Sequence, residues 1–146
     1  MKKSQFAMEY MFLLGVLLLV LLPVAYYSLR TMNYELKSNQ AAESIKALGK
    51  TSDTVYSLGP GNKKFVQISI PSGEMAIGQN EILFKVTLFG ERADVFEATS
   101  APLQPGKIGS YTISSDLQNP TYIEGGTYNV KIEMKDTYIL IGEEIT

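Results

Sequence analysis

The chain has 146 residues, with 13 basic and 15 acidic side chains dispersed along it and a net charge of -2 at neutral pH. It therefore offers no basic field, and no nucleic-acid partner is expected. Cysteine and histidine are both absent, which excludes disulfides, a Cys/His zinc site, a His-based triad and a Cys nucleophile.

The chain opens MKKSQFAMEYMFLLGVLLLVLLPVAYY, and from Tyr10 to Leu29 no side chain is charged. Between Phe12 and Val24 stand eleven Phe, Leu and Val residues: Phe12, Leu13, Leu14, Val16, Leu17, Leu18, Leu19, Val20, Leu21, Leu22 and Val24. At about 0.3 to 0.6 kcal/mol each they favour bilayer insertion by about 3 to 7 kcal/mol. Glu9, at the edge of the run, opposes this by less than the roughly 3 kcal/mol of a carboxylate at mid-membrane. The run has about the 20 residues that a spanning helix needs. Lys2 and Lys3 precede it, so the first residues are expected in the cytoplasm and everything after Arg30 outside.

A secretory signal would end its apolar stretch at small residues. Here the run continues through Pro23, Val24, Ala25, Tyr26 and Tyr27 without such a site, so a retained helix is expected. Pro23 removes the hydrogen bond to Leu19, and reads either as a tolerated kink or as a flex point during assembly. Gly15 reads as a close-packing position.

Past the anchor, Leu29, Met32, Leu36, Ile45, Leu48, Val55 and Leu58 recur mostly at three to four residues or sums of these, with Ala41 and Ala42 between them. Charged residues occupy other positions, so the pattern predicts an amphipathic helix that stops at Gly59-Pro60-Gly61. A continuous helix from Phe6 to Ser57 would be about 75 to 80 Å long. Half would lie in apolar surroundings and half against a globular domain, giving a lollipop outline.

After Gly61 the period becomes two. Val66, Ile68 and Ile70 alternate with Gln67 and Ser69, and Ile82, Phe84, Val86 and Leu88 share one face. Short strands are expected at Val95-Phe96 and Tyr111 to Ile113, and a hairpin from Tyr128, Val130, Ile132 and Met134 through a turn near Asp136 into Tyr138-Ile139-Leu140-Ile141. Gly125-Gly126 suits a hairpin loop, a bulge or an edge entry. Pro102-Leu103-Gln104-Pro105-Gly106 reads as a stiff loop. The expected fold class is α+β: a long N-terminal helix, apolar over residues 10–29, followed over residues 62–146 by a small antiparallel β-sandwich or barrel-like domain.

Catalytic and metal-binding patterns are sparse. Glu143 and Glu144 are adjacent and on a strand would face opposite ways, and no window is dense enough in oxygen ligands for calcium. Gly59 to Lys64 lacks the spacing of a phosphate loop and leads into a strand. No catalytic, cofactor or metal site is expected. The tyrosines, Tyr111, Tyr122, Tyr128 and Tyr138 among them, read as core or rim residues of the β domain, or as an adhesive aromatic surface.

The stretch Lys2-Lys3-Ser4-Gln5-Phe6-Ala7-Met8-Glu9-Tyr10 resembles the class III signal sequence of archaeal type IV pilin-like proteins. In that family a prepilin peptidase cuts a basic leader just before a glutamine, in the pattern Gln-x-Ser-x-Glu-Tyr. Gln5, Glu9 and Tyr10 match; Ala7 stands where the family commonly has serine, and Ser4 where glycine or another small residue is usual. Ser44-Ile45-Lys46-Ala47-Leu48 and Val55-Tyr56-Ser57-Leu58-Gly59-Pro60-Gly61 also resemble the helix-end pattern of these proteins, so the likeness extends to about residue 70.

The resemblance implies a leader over residues 1–4, with Lys2, Lys3, Ser4 and Gln5 at the cleavage site, and a mature helix over residues 5–58. It implies an extracellular filament of identical subunits whose core holds Phe12 to Pro23, built after the precursor has waited in the cytoplasmic membrane. The expected partners are these subunits, the prepilin peptidase and the pilus machinery, and the expected role is surface adhesion. Gln5, Glu9 and Tyr10 become assembly residues: Glu9 either pairs with the Gln5 amine freed by cleavage and sets axial register, or sits in the headgroup layer against the positive end of the helix dipole. The alternative function is a minor pilin, or a solitary anchored surface module that forms no long filament.

Overall fold

The structure is a computed structural model; it describes residues 2–88 and 90–145, leaving out the side chains of residues 2–6, 88 and 91. It has an α+β layout, one long N-terminal helix followed by antiparallel sheets. Helix α1 runs Lys2–Leu58, and Pro23 lies inside it without interrupting it. The chain divides into two compact units within this helix, one up to Leu36 and one from Lys37 onward.

In the second unit the strands are β1 (Lys63–Ile70), β2 (Gly73–Ile77), β3 (Glu81–Leu88), β4 (Glu91–Ala98), β5 (Leu103–Pro105), β6 (Lys107–Ile108), β7 (Tyr111–Thr112), β8 (Thr121–Ile123), β9 (Gly126–Met134) and β10 (Ile139–Ile141). They form a sheet ordered β1-β9-β10-β5, another ordered β4-β3-β2-β8, and the small pair β6-β7. The expected hairpin is present, with Ile139 opposite Met134 and Ile141 opposite Ile132.

The alternation read from the sequence fixes the inner faces. Ile68 and Ile70 of β1, Val130, Ile132 and Met134 of β9, and Ile82, Phe84 and Val86 of β3 are buried in one apolar cluster. The same cluster takes in Ala41, Ile45, Leu48 and Val55 of α1, so residues 41–55 of the helix close the core. The apolar stripe is not buried along its whole length: Leu29, Met32, Leu36 and Leu58 are exposed. What replaces it on the packed side is small and polar, namely Ser44, Gly49 and Ser52. A side chain on Gly49 would start 2.5 Å from Glu97 Cγ, so the glycine lets β4 approach.

Polar bonds join α1 to the strands and the turn after β4, among them one from Gln40 Nε2 to Ser69 Oγ at 2.7 Å. Ser44 Oγ donates to Ser69 O at 2.6 Å and accepts from Ser69 N at 3.2 Å. One hydroxyl thus satisfies both backbone groups that this residue of edge strand β1 turns away from β9. Asp53 Oδ1 accepts from Ser100 N at 2.9 Å, just after β4. The helix ends as its residues dictate: Gly59 has φ 88°, and Asn62 Nδ2 donates to Leu58 O and Gly59 O, covering carbonyls the helix leaves open.

Two local expectations are corrected, and one strand escapes the sequence pattern. Pro102 to Gly106 is not merely a loop: Leu103–Pro105 forms β5, parallel to β10. Pro105, which has no N–H, fits because β5 is an edge strand. Strand β2 was hidden in GEMAI because Met75, Ala76 and Ile77 are all buried, and a strand covered on both faces shows no alternation. Gly125-Gly126 makes no hairpin loop; it carries the chain from β8 in one sheet to β9 in the other. There it passes the β1–β2 connection: Gly125 N donates to Ser72 Oγ, and a Cβ on Gly125 would lie 2.9 Å from Ser72 N.

Among the tyrosines, Tyr111 and Tyr128 pack on the core and meet edge to face, their centroids 6.5 Å apart, while Tyr122 is exposed. Outside the first sheet Lys131, Glu133, Lys135 and Glu144 form a chain of ion pairs. The hydrogen bond from Lys131, together with the charges of Lys131 and Lys135, holds the Glu133 carboxyl below its usual range, against the opposing effect of burial.

Candidate functional site

The feature of the first unit is the uncharged run from Tyr10 to Leu29 on α1. At about 1.5 Å per residue its 20 positions span roughly 30 Å, the thickness of a bilayer's hydrocarbon. The helix is long and apolar enough to cross a membrane, with a mean hydropathy of 2.3 in its most apolar window and none of that window buried. Phe12 and Leu19 are each 73% exposed, and even Leu14, at 46%, is far from buried. Leu13, Val16, Leu17, Leu18, Val20, Leu21 and Leu22 are exposed as well. These side chains occupy every direction around the axis, because 3.6 residues make a turn and nearly every consecutive position is apolar.

Both ends of the run carry groups suited to a membrane interface. Tyr10 stands at one end and Tyr26 and Tyr27 at the other, the places where amphipathic rings collect. Glu9 and Arg30 flank the run. Just beyond it Thr31 Oγ1 donates to Tyr27 O and Asn33 Nδ2 to Leu29 O, so these polar side chains fold back on the helix. At Gly15 an added Cβ would meet nothing within 4 Å, and nothing inside this chain requires the glycine.

Glu9 is exposed in a shallow apolar depression formed with Met8, Phe12 and Leu13. Phe12 and Leu13 are three and four residues on, hence on the same face. Among the described residues the Glu9 side chain has no ion-pair or hydrogen-bond partner. The helical backbone places Gln5 one turn before Glu9, about 6 Å along the axis. The side chains of the cleavage-site residues Lys2, Lys3, Ser4 and Gln5 lie outside the described residues.

Among the described residues no group of three His, Cys, Asp or Glu side chains is arranged to hold a metal ion. The sequence reading did not anticipate a polar cleft in the second unit, where four separate segments bring together Phe65, Lys107, Asn129, Lys131 and Glu143. Its one sequence signal is that Phe65 falls in the polar phase of the Val66, Ile68, Ile70 alternation. Compared with protein-family models, curated proteins and solved structures, the chain shows no match to any of them.

Proposed function

We propose that this chain is the structural subunit of a pilus-like extracellular filament. In this reading the leader is removed between Ser4 and Gln5 by a prepilin-type peptidase, with the N-terminus still cytoplasmic. The apolar helix waits in the cytoplasmic membrane, then exchanges lipid for the helices of identical subunits, and the β unit forms the outer surface used for adhesion. The function is assembly, and the reading assigns no catalytic step.

The observation that carries the proposal is the exposure of apolar side chains all round residues 10–29. Eleven Phe, Leu and Val residues at about 1.5 to 3 kcal/mol each would make water contact unfavourable by roughly 15 to 30 kcal/mol, more than the roughly 5 to 15 kcal/mol stability of a whole domain. A one-sided dimer seam would leave half of that surface wet. A membrane followed by the centre of a multi-helix bundle covers all of it.

Glu9 then has a definite task. Cleavage frees an amine on Gln5, charged at neutral pH with a reference pKa near 8. In an apolar bundle that amine and the Glu9 carboxylate are each costly alone and cancel when paired, so the pair selects one axial offset rather than adding much stability. Glu9→Gln is expected to insert and be processed normally yet yield few or no filaments in sheared surface fractions. Wild-type filament yield would overturn the register role.

One observation is compatible with the alternative of a solitary anchored module: the unit from Lys37 onward contains its own buried apolar core. That reading expects the protein on the cell surface but absent from sheared filaments, whatever stands at position 9.

A further inference from the structure

The outer side of the first sheet carries a cleft of about 440 Å³, within the roughly 300 to 1,000 Å³ typical of small-ligand sites. Its floor is β9, where Asn129 and Lys131 point outward two residues apart. One wall is Phe65 of β1, directly across from Lys131 and 58% exposed. The opposite wall is backbone. Lys107 and Glu143 exchange two hydrogen bonds of 2.8 Å, and Gly142 N donates to Lys131 O at 2.7 Å. Gly142 has φ 102°, and a Cβ there would collide with the Lys107 carbonyl, so this wall is held bare and close.

The chemistry of these walls is specific. Lys131 is neutralised by Glu133 at 2.8 Å, whereas Lys107 makes no ion pair among the described residues. The cleft thus presents the Lys107 ammonium, in no ion pair among the described residues, an exposed aromatic ring, an amide with donor and acceptor, and the Glu143 carboxylate as an acceptor. An aromatic face beside hydrogen-bonding groups of both kinds suits a pyranose ring, which has an apolar C–H face and a rim of hydroxyls. One ammonium outside the ion pairs of the described residues suits one carboxylate rather than a phosphate chain.

We propose that this cleft binds a hexuronate, a pyranose sugar bearing one carboxylate. The C–H face lies on Phe65, the carboxylate meets Lys107, and the hydroxyls meet Asn129 and Glu143. The site belongs to the unit from Lys37 onward and does not depend on whether the chain polymerises.

The test is calorimetric titration of the full chain in detergent micelles with glucuronate, galacturonate, a trigalacturonate, glucose and acetate. Saturable binding of at least one uronate is expected, with glucose and acetate at least about tenfold weaker. Phe65→Ala and Lys107→Gln, both side-chain changes at the surface, are each expected to weaken it about tenfold, with an unchanged melting temperature showing that the fold persists. Tighter binding of the trisaccharide points to an acidic polysaccharide as the source, and equal binding to the free sugar; both uphold the class. No saturable uronate binding, acetate binding as well as the uronates, or full affinity in Phe65→Ala would each overturn the assignment.

Discussion

Replacing Ser44 by alanine tests how the second part of α1 is fastened to the sheet beside it. Ser44 is 8% exposed, and its hydroxyl serves both Ser69 O at 2.6 Å and Ser69 N at 3.2 Å. Without it, two backbone groups on the edge of β1 lose their partner at a site water reaches poorly. Leaving such groups unsatisfied costs about 1 to 3 kcal/mol, offset by about 0.5 kcal/mol because alanine is the better helix former. The net loss should be about 0.5 to 2.5 kcal/mol, or roughly 2 to 10 °C in melting temperature for a unit of this size. Thermal unfolding of the full chain in micelles, followed by the β-sheet circular dichroism signal, reads it directly. Ser57→Ala is the control, since Ser57 is exposed and bonds only within its own helical turn, to Thr54 O. A Ser44→Ala protein as stable as wild type, or more so, would show that this hydroxyl does not fasten α1 to β1.

Other perturbations follow from the same contacts. Gly73→Ala would put a Cβ 2.5 Å from Lys85 O and 2.8 Å from Phe84 Cζ; a loss of about 1 to 3 kcal/mol is expected in urea titration. Ile45 is fully buried, so Ile45→Ala should cost about 2 to 5 kcal/mol, whereas Leu19→Ala, in the exposed run, should leave the unfolding of the β unit unchanged. The Glu133 carboxyl is held below its usual range in the folded chain by Lys131 and Lys135. A lowered folded-state pKa means that its stabilisation is present above the unfolded value of about 4.3 and is lost as pH falls through the folded value. Wild type should therefore have a higher urea midpoint than Glu133→Gln at pH 7, and the gap should narrow as the pH falls below the unfolded value. An undiminished gap at the lower pH would contradict the assignment.

Much of this fold is legible in the residues because single faces are buried. Val130, Ile132 and Met134 alternate with polar neighbours, and Gly59-Pro60-Gly61 marks the helix end through a left-handed glycine. The reading fails where burial is two-sided or where backbone, not side chain, makes the contact. Strand β2 is covered on both faces and so has no period, and β5 hides between two prolines that suit an edge. The packed side of α1 is partly serine and glycine, since Ser44 bonds to a strand edge and Gly49 admits Glu97; a search for apolar periodicity passes over both. The uncharged run of residues 10–29 is visible from composition alone. The cleft around Phe65 is not, because pairing of β1 with β9 and of Lys107 with Glu143 assembles it from distant segments.

The filament account depends above all on the N-terminus of the assembled protein. Intact mass and N-terminal sequencing of material sheared from the cell surface, beside the same protein taken from membranes, test it most directly. A filament subunit is expected as a sheared chain that begins at Gln5, with Glu9 as its fifth residue. A chain beginning after Ala25, or an uncut Met1 form confined to membranes, would contradict it.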